Sequence, residues 1–224
     1  EVYRKRAESG FARLYAPHRS EVIYERAMVD LLIARYLTGF RGSAGIKDCR
    51  ILDVGCGRGR QLRTFLEWGA KPENLQGIDI FEDDVEEAKH LSASGIRFSV
   101  GSAEQMPYSA GSFDVIVANT VLSSILNQSI RSGVCREIAR VAGQTGVIFV
   151  YDFVYRNPRN PNVRPVGRRE LADAFDGWRL ESKKITMAPP ISRMLGRLGF
   201  RCLVLLDAIL PVMRSHRLFI LSRK

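Results

Sequence analysis

No run of about eighteen consecutive apolar residues occurs in the 224-residue chain, so no membrane-spanning helix is expected. The N-terminus, EVYRKRAESG, is charged and lacks an apolar centre, so it does not read as a signal peptide; it does not begin with Met, and what precedes residue 1 is not given by the sequence. The four cysteines, Cys49, Cys56, Cys135 and Cys202, include no C-x-x-C pair, and there are only three histidines. Neither a disulfide framework nor a zinc site is expected, no metal is called for, and a reducing cytoplasm is the simplest location. Repeats and low-complexity tracts are missing as well, which excludes solenoids. Acidic residues run short in one region. Residues 156–224 hold 15 of the 34 basic residues and only 5 of the 24 acidic ones, so the whole net charge of +10 sits in the last third. That asymmetry favours an acidic partner: an anionic small molecule, a nucleic acid or an anionic membrane face. A solvated basic surface is the plainer alternative.

What is present alternates regularly. Residues 20–37 have helical spacing, with Ser20 as N-cap and Ile23, Ala27, Leu31 and Ala34 on one face. RILDVG, NLQGIDI, IRFSV, FDVIVAN and TGVIFVYDF read as five strands, and helix patterns separate several of them, including RQLRTFLEWG, DDVEEAKHLSAS and residues 129–142. Crossover-length helices between strands imply a parallel, doubly wound α/β sheet whose ligand edge is the C-terminal ends of the strands. After residue 155 comes a proline- and asparagine-rich loop, NPRNPNVRPVG. A short helix RRELADAF, a strand WRLESKKITM, a helix over 191–210 and a final strand HRLFILSRK follow. The whole is expected to form one domain of seven strands: a helical cap over 1–47, a core over 48–155 and a basic region over 156–224.

The strongest signal is Ile51-Leu52-Asp53-Val54-Gly55-Cys56-Gly57-Arg58-Gly59, a buried strand running into three glycines and then a helix. Glycines let backbone approach a ligand, and the helix N-terminus beyond offers free N–H groups. Asp79 closes the second strand twenty residues past Gly59, where a carboxylate suits two ribose hydroxyls. A dinucleotide fingerprint would need glycine where Arg60 stands, and Asp53 is poorly placed beside a pyrophosphate but well placed for a cation. This pattern resembles motif I of the class I S-adenosylmethionine-dependent methyltransferases. Gly101-Ser102-Ala103-Glu104 after the third strand, Met106-Pro107-Tyr108, and Ser112-Phe113-Asp114 running to Asn119 resemble that family's downstream motifs.

The resemblance implies a Rossmann-like, mostly parallel seven-stranded sheet with helices on both faces. It also implies S-adenosylmethionine as cofactor, with S-adenosylhomocysteine as product. The cofactor-binding residues it implies are Asp53, Gly55, Gly57, Gly59, Asp79, Ile80, Ser102, Ala103, Glu104 and Asn119. Tyr3 and Tyr15 are placed to close over the cofactor or simply to pack. Asp114 is expected to cap the turn into strand four.

The acceptor should lie above Asn119 and the end of strand five. Asp152 is the expected general base, or capping group, with His216 a second base candidate. Asn157, Asn160 and Arg164 are expected to bind the acceptor. Asn119-Thr120-Val121-Leu122 replaces the Asn/Asp-Pro-Pro-Tyr/Phe tetrapeptide of adenine-N6 and glutamine-type enzymes. The C-terminal third resembles a bacterial methyltransferase group associated with glycan and secondary-metabolite assembly, which implies O-methylation of a sugar or sugar-containing small molecule. A tRNA or rRNA methyltransferase is the alternative, though the basic region has few aromatic residues for stacking bases. In residues 191–210, Arg193, Arg197 and Arg201 recur every four positions beside apolar residues. A lid, core packing, a dimer contact or a peripheral membrane contact are the expectations there.

Overall fold

The computed structural model describes residues 16–41, 45–156 and 160–223. Helix α1 (Ser20–Arg41) leads into strand β1 (Ile51–Val54), followed by α2 (Arg60–Glu67), β2 (Leu75–Asp79), α3 (Glu82–Leu91), β3 (Arg97–Val100) and β4 (Phe113–Asn119). Next come α4 (Gln128–Val141), β5 (Ala142–Phe153), α5 (Arg168–Ala174), β6 (Trp178–Met187), α6 (Pro189–Gly196), α7 (Phe200–Ile209) and β7 (Arg214–Arg223). One seven-stranded sheet has the order β3-β2-β1-β4-β5-β7-β6. Strands β1 to β5 pair in parallel, and β7 inserts antiparallel between β5 and β6. The strand order reverses between β1 and β4, the switch point at which open α/β sheets bind ligands.

The apolar runs become central strands because both faces are covered. On one face α1, α2 and α3 contribute Val29, Ile33, Leu37, Leu62, Phe65, Val85 and Ala88, packed on Ile51, Val115, Val117, Val147 and Phe149. On the other, α4 and α5 bring Val134, Cys135, Ile138 and Leu171 onto Leu52, Val54, Ile116, Ile148 and Val150. Strand alternation thus divides each strand between two layers. Asp114 accepts from the Arg50 backbone N–H (2.9 Å) and pairs with its guanidinium (3.0 Å), clasping the entries of β1 and β4.

Two expectations are corrected. Helix α1 buries Val22, Val29, Ile33 and Leu37, whereas the anticipated face points outward, with Leu31 60% exposed. The helix carries two apolar stripes, and the one holding Ile33 and Leu37 joins the core cluster with Phe149, Ile185 and Leu218 of β5, β6 and β7. The segment over 191–210 is two helices rather than one. Gly199, with φ of 94°, stands between α6 and α7, and the Leu198 and Gly199 N–H groups close tight turns onto Leu195 and Gly196.

Candidate active site

The glycine turn folds back on β2: the Gly55 and Cys56 N–H groups donate to the Ile78 carbonyl at 2.8 and 3.1 Å. Gly59 has φ of 72°, and a Cβ there would lie 2.7 Å from the Phe98 ring, so this glycine brings α2 close against β3. A Cβ on Gly55 would lie 2.5 Å from Val121. Asp79 is fixed at the tip of β2. Its Oδ2 accepts from the Gly57 N–H (2.8 Å) and its Oδ1 from the Phe81 N–H (3.0 Å).

A cavity of about 620 Å³ opens over these strand tips. Six of the expected cofactor residues line it: Gly55, Asp79, Ile80, Ser102, Ala103 and Asn119. Gly57 and Gly59 shape the turn behind it. Asp53 is 3% exposed, beneath the floor, and burial with the neighbouring Asp79 charge raises its pKa to about 7 against the pull of Arg60. Glu104 departs from expectation: it is exposed and lies over Gly133 of α4, outside the cavity lining.

The acceptor-side expectations change more. Asp152 is fully buried; its Oδ2 accepts from the Ser123 N–H at 3.0 Å and its Oδ1 from the Phe153 N–H at 2.9 Å. It anchors the 3-10 turn Leu122–Ser124 and lines neither of the cavities at this edge, so it is a positioning residue and not a base. Strand parity is the reason. Asp152 follows Ile148 and Val150 toward the α4 layer, whereas Tyr151 follows Phe149 toward α1.

His216 is buried between the rings of Tyr151 and Phe153, with Nδ1 3.1 Å from Thr186 Oγ1 and from Ser215 Oγ. Burial pushes its pKa down to about 3, and a ring so enclosed cannot reach a solute, so the base role fails for it too. Asn160 Oδ1 accepts from the Asn162 N–H (3.3 Å), and it is Asn162 that lines the cavity. Arg164 ties the loop down through its N–H to the Ser123 carbonyl (2.9 Å), and its guanidinium turns toward Glu170. Asn157, Tyr3 and Tyr15 lie outside the described residues.

A second, smaller cavity of about 170 Å³ was not foreseen. Glu25, Arg26, Arg60 and Tyr151 line it, and it shares Asn119 and Thr120 with the large one. The Tyr151 hydroxyl donates to Glu25 Oε1 (3.0 Å) and lies 2.7 Å from Thr186 Oγ1. With the tyrosine proton committed to Glu25, Thr186 donates to Tyr151 and accepts from His216. Burial raises the Glu25 pKa, opposed by the Tyr151 hydrogen bond and by Arg26, Arg60 and Arg193. Asn119 Nδ2 donates to Gln61 Oε1 (3.0 Å), which also accepts from Arg60 (2.7 Å), and Arg60 is in turn paired with Asp30 (2.8 Å). Asn119 Oδ1 is buried with no hydrogen-bond partner. Such an orphan acceptor costs about 1–3 kcal/mol until a ligand supplies positive charge or a donor. Thr120 holds φ of 57°, strained for a β-branched residue. A sequence signal for Glu25 exists: it is a carboxylate on the same stripe as the core residues Val22 and Val29.

A family described as a methyltransferase domain matches residues 46–184. The chain is 32% identical over 133 residues to an ajmaline N-methyltransferase from Rauvolfia serpentina, a match covering 56% of this chain and 44% of that one. It is 30% identical over 106 residues to a ubiquinone biosynthesis O-methyltransferase from Aromatoleum aromaticum, covering 46% of this chain and 44% of the relative. The match thus spans under half the length of either curated relative. An S-adenosylmethionine dependent methyltransferase from Mesorhizobium loti shares the fold with a TM-score of 0.60 and 17% identity, over 80% of this chain and 92% of that one.

Proposed function

The chain belongs to the class I S-adenosylmethionine-dependent methyltransferases, and on that premise we propose that it methylates a hydroxyl of a sugar or sugar-containing small molecule, with Glu25 as the proton acceptor. The carrying observation is the small cavity, lined by Glu25, Arg26, Arg60 and Tyr151 together with Val22 and Val29, that meets the larger one at Asn119 and Thr120. The residues of the large cavity fit the cofactor, with Asp79 for ribose hydroxyls and the orphaned Asn119 Oδ1 for a cation, and the charge of Asp53 lies buried beneath the same floor.

When bound, the cofactor supplies an electrophilic methyl on a sulfonium. A hydroxyl acceptor keeps its proton at neutral pH, so forming the new O–C bond as the S–C bond breaks requires a base. Glu25 Oε1 is occupied by Tyr151, and its Oε2 is left to take that proton. Arg26 lines the same cavity and orients an acceptor with several oxygens or an anionic group. An amine that is neutral near pH 7 would need no such carboxylate. Glu25, Arg26 and Arg60 offer charged partners to the hydroxyls of such a ring, and Val22 and Val29 offer an apolar wall to its carbon face.

The test is methyl transfer to a panel of sugar nucleotides, followed by mass spectrometry. The expected product is an O-methyl sugar. Glu25→Gln should lower turnover by roughly 10²–10⁴ while cofactor affinity holds. Full activity in Glu25→Gln, or methylation at nitrogen or carbon, overturns the proposal.

A further inference from the structure

Helices α6 and α7 carry an exposed face that the catalytic reading does not use. Met194 and Leu198 on α6 and the turn after it are 63% and 65% exposed. Leu205 and Ile209, one turn apart on α7, are 60% and 62% exposed, and Val212 just beyond is 81% exposed. Arg197 and Arg201, both exposed, sit among them at the bend between the two helices. After Glu181 the sequence contains one acidic residue, Asp207, and it is buried and paired with Arg214 at 2.8 Å. The face therefore presents aliphatic side chains and cations, with no exposed anion of its own.

We infer that this face docks on the surface of an anionic lipid bilayer. Aliphatic side chains beside arginines let a helix lie in the headgroup region, with the apolar groups in the acyl boundary and the guanidiniums at the phosphates. A second copy of the chain fits less well. A two-fold contact through this face would bring the arginines of both copies together with no acid to pair them. Nucleic acid fits less well again, because aliphatic side chains neither stack on bases nor bind phosphate. No helix among the described residues is long and apolar enough to cross a membrane, so the contact is peripheral.

The position is suited to the active site. Helix α6 seats on the start of α1, where Gly196 lies so close to Glu21 that a Cβ would meet its Oε2 at 2.7 Å. Glu25 is one turn further along α1, and the Arg193 charge reaches it. Helix α6, whose outer side carries part of the docked face, thus lies beside the α1 turn that holds Glu25. The docking itself does not depend on the identity of the acceptor.

The experiment is co-sedimentation of the full chain with vesicles of phosphatidylcholine alone or mixed with phosphatidylglycerol, at low salt. The protein should pellet with the mixed vesicles and stay in solution with phosphatidylcholine alone. Arg197→Ser with Arg201→Ser should weaken the partition on the order of twenty- to thirtyfold. Leu205→Ser with Ile209→Ser should also release the protein. All four side chains are exposed, so the fold is retained, which circular dichroism and thermal melting check. Failure to pellet with the mixed vesicles overturns the inference, as does pelleting that both double variants leave unchanged. A dimer by light scattering that Leu205→Ser with Ile209→Ser dissolves, without vesicle binding, assigns the face to a second copy. A tRNA mobility shift lost in the arginine variant, again without vesicle binding, assigns it to nucleic acid.

Discussion

Asp53 makes cofactor affinity a function of pH. Its side chain is 3% exposed, and burial together with Asp79 holds its pKa at about 7. A cationic ligand above it favours the carboxylate, so binding should drive the proton off. The sign follows: affinity is full above pH 7 and falls as the pH drops below the raised value. At pH 5, with a free-state value near 7, roughly one molecule in a hundred carries the ionised form. Affinity there should be about a hundredfold weaker than at pH 8, with one proton released per cofactor bound. Titration calorimetry in two buffers of different ionisation enthalpy measures that proton directly. Asp53→Asn should bind more weakly at pH 8 and lose the pH dependence. Affinity that is flat between pH 5 and 8, or proton release that persists in Asp53→Asn, refutes the assignment of Asp53 to the cationic end of the cofactor.

Asp152→Asn puts an amide where two backbone N–H groups need an acceptor, so the Leu122–Ser124 turn should loosen. Cofactor affinity and turnover are then expected to fall together, whereas a turnover loss alone in steady-state kinetics would restore Asp152 as a base. Gly59→Ala combines a left-handed φ of 72° with a contact 2.7 Å from Phe98 and should cost about 2–4 kcal/mol in urea unfolding; a loss under 1 kcal/mol would contradict the close approach of α2 to β3. His216 has its folded pKa lowered from 6.5 to about 3, so the folded state binds fewer protons than the unfolded one in that window. Stability present above pH 6.5 is lost as pH falls, by about 1.4 kcal/mol per unit, and His216→Leu should flatten that slope in thermal melts; an unchanged slope places the titration elsewhere.

The five parallel strands were legible because a strand buried on both faces reads as a continuous apolar run, and the glycine turn after β1 marked the ligand edge. What escaped depends on which way a side chain points. Helix α1 has two apolar stripes, and only contact with β5 and β7 decides between them. Choosing the outer stripe hid Glu25, whose place on the inner one is its signal. At the end of β5, Asp152 drew attention as a carboxylate, but strand parity alone assigns it to the α4 layer and Tyr151 to the small cavity. Gly196 and Gly199 weaken a helix over 191–210, but propensity gives their cost and not the sharp bend.

Four departures from ordinary folding rules gather at one place. Among the described residues two non-glycine positions have positive φ, Thr120 at 57° and Thr186 at 54°, and both grip Tyr151. Thr120 donates its N–H to the Tyr151 carbonyl at 2.7 Å, and the Thr186 hydroxyl lies 2.7 Å from the Tyr151 hydroxyl. Each left-handed threonine costs on the order of 1–3 kcal/mol and persists because the surrounding ladders hold it, β4 with β5 for Thr120 and β6 with β7 for Thr186. Beside them stand a carboxylate on a core stripe, Glu25, and an unpaired buried oxygen on Asn119. Packing alone would remove all four, since an apolar stripe and relaxed turns would be more stable. Their concentration around the opening between two cavities is accounted for if the fold gives up stability there to fix one phenol, one carboxylate and one bare acceptor against a reacting centre.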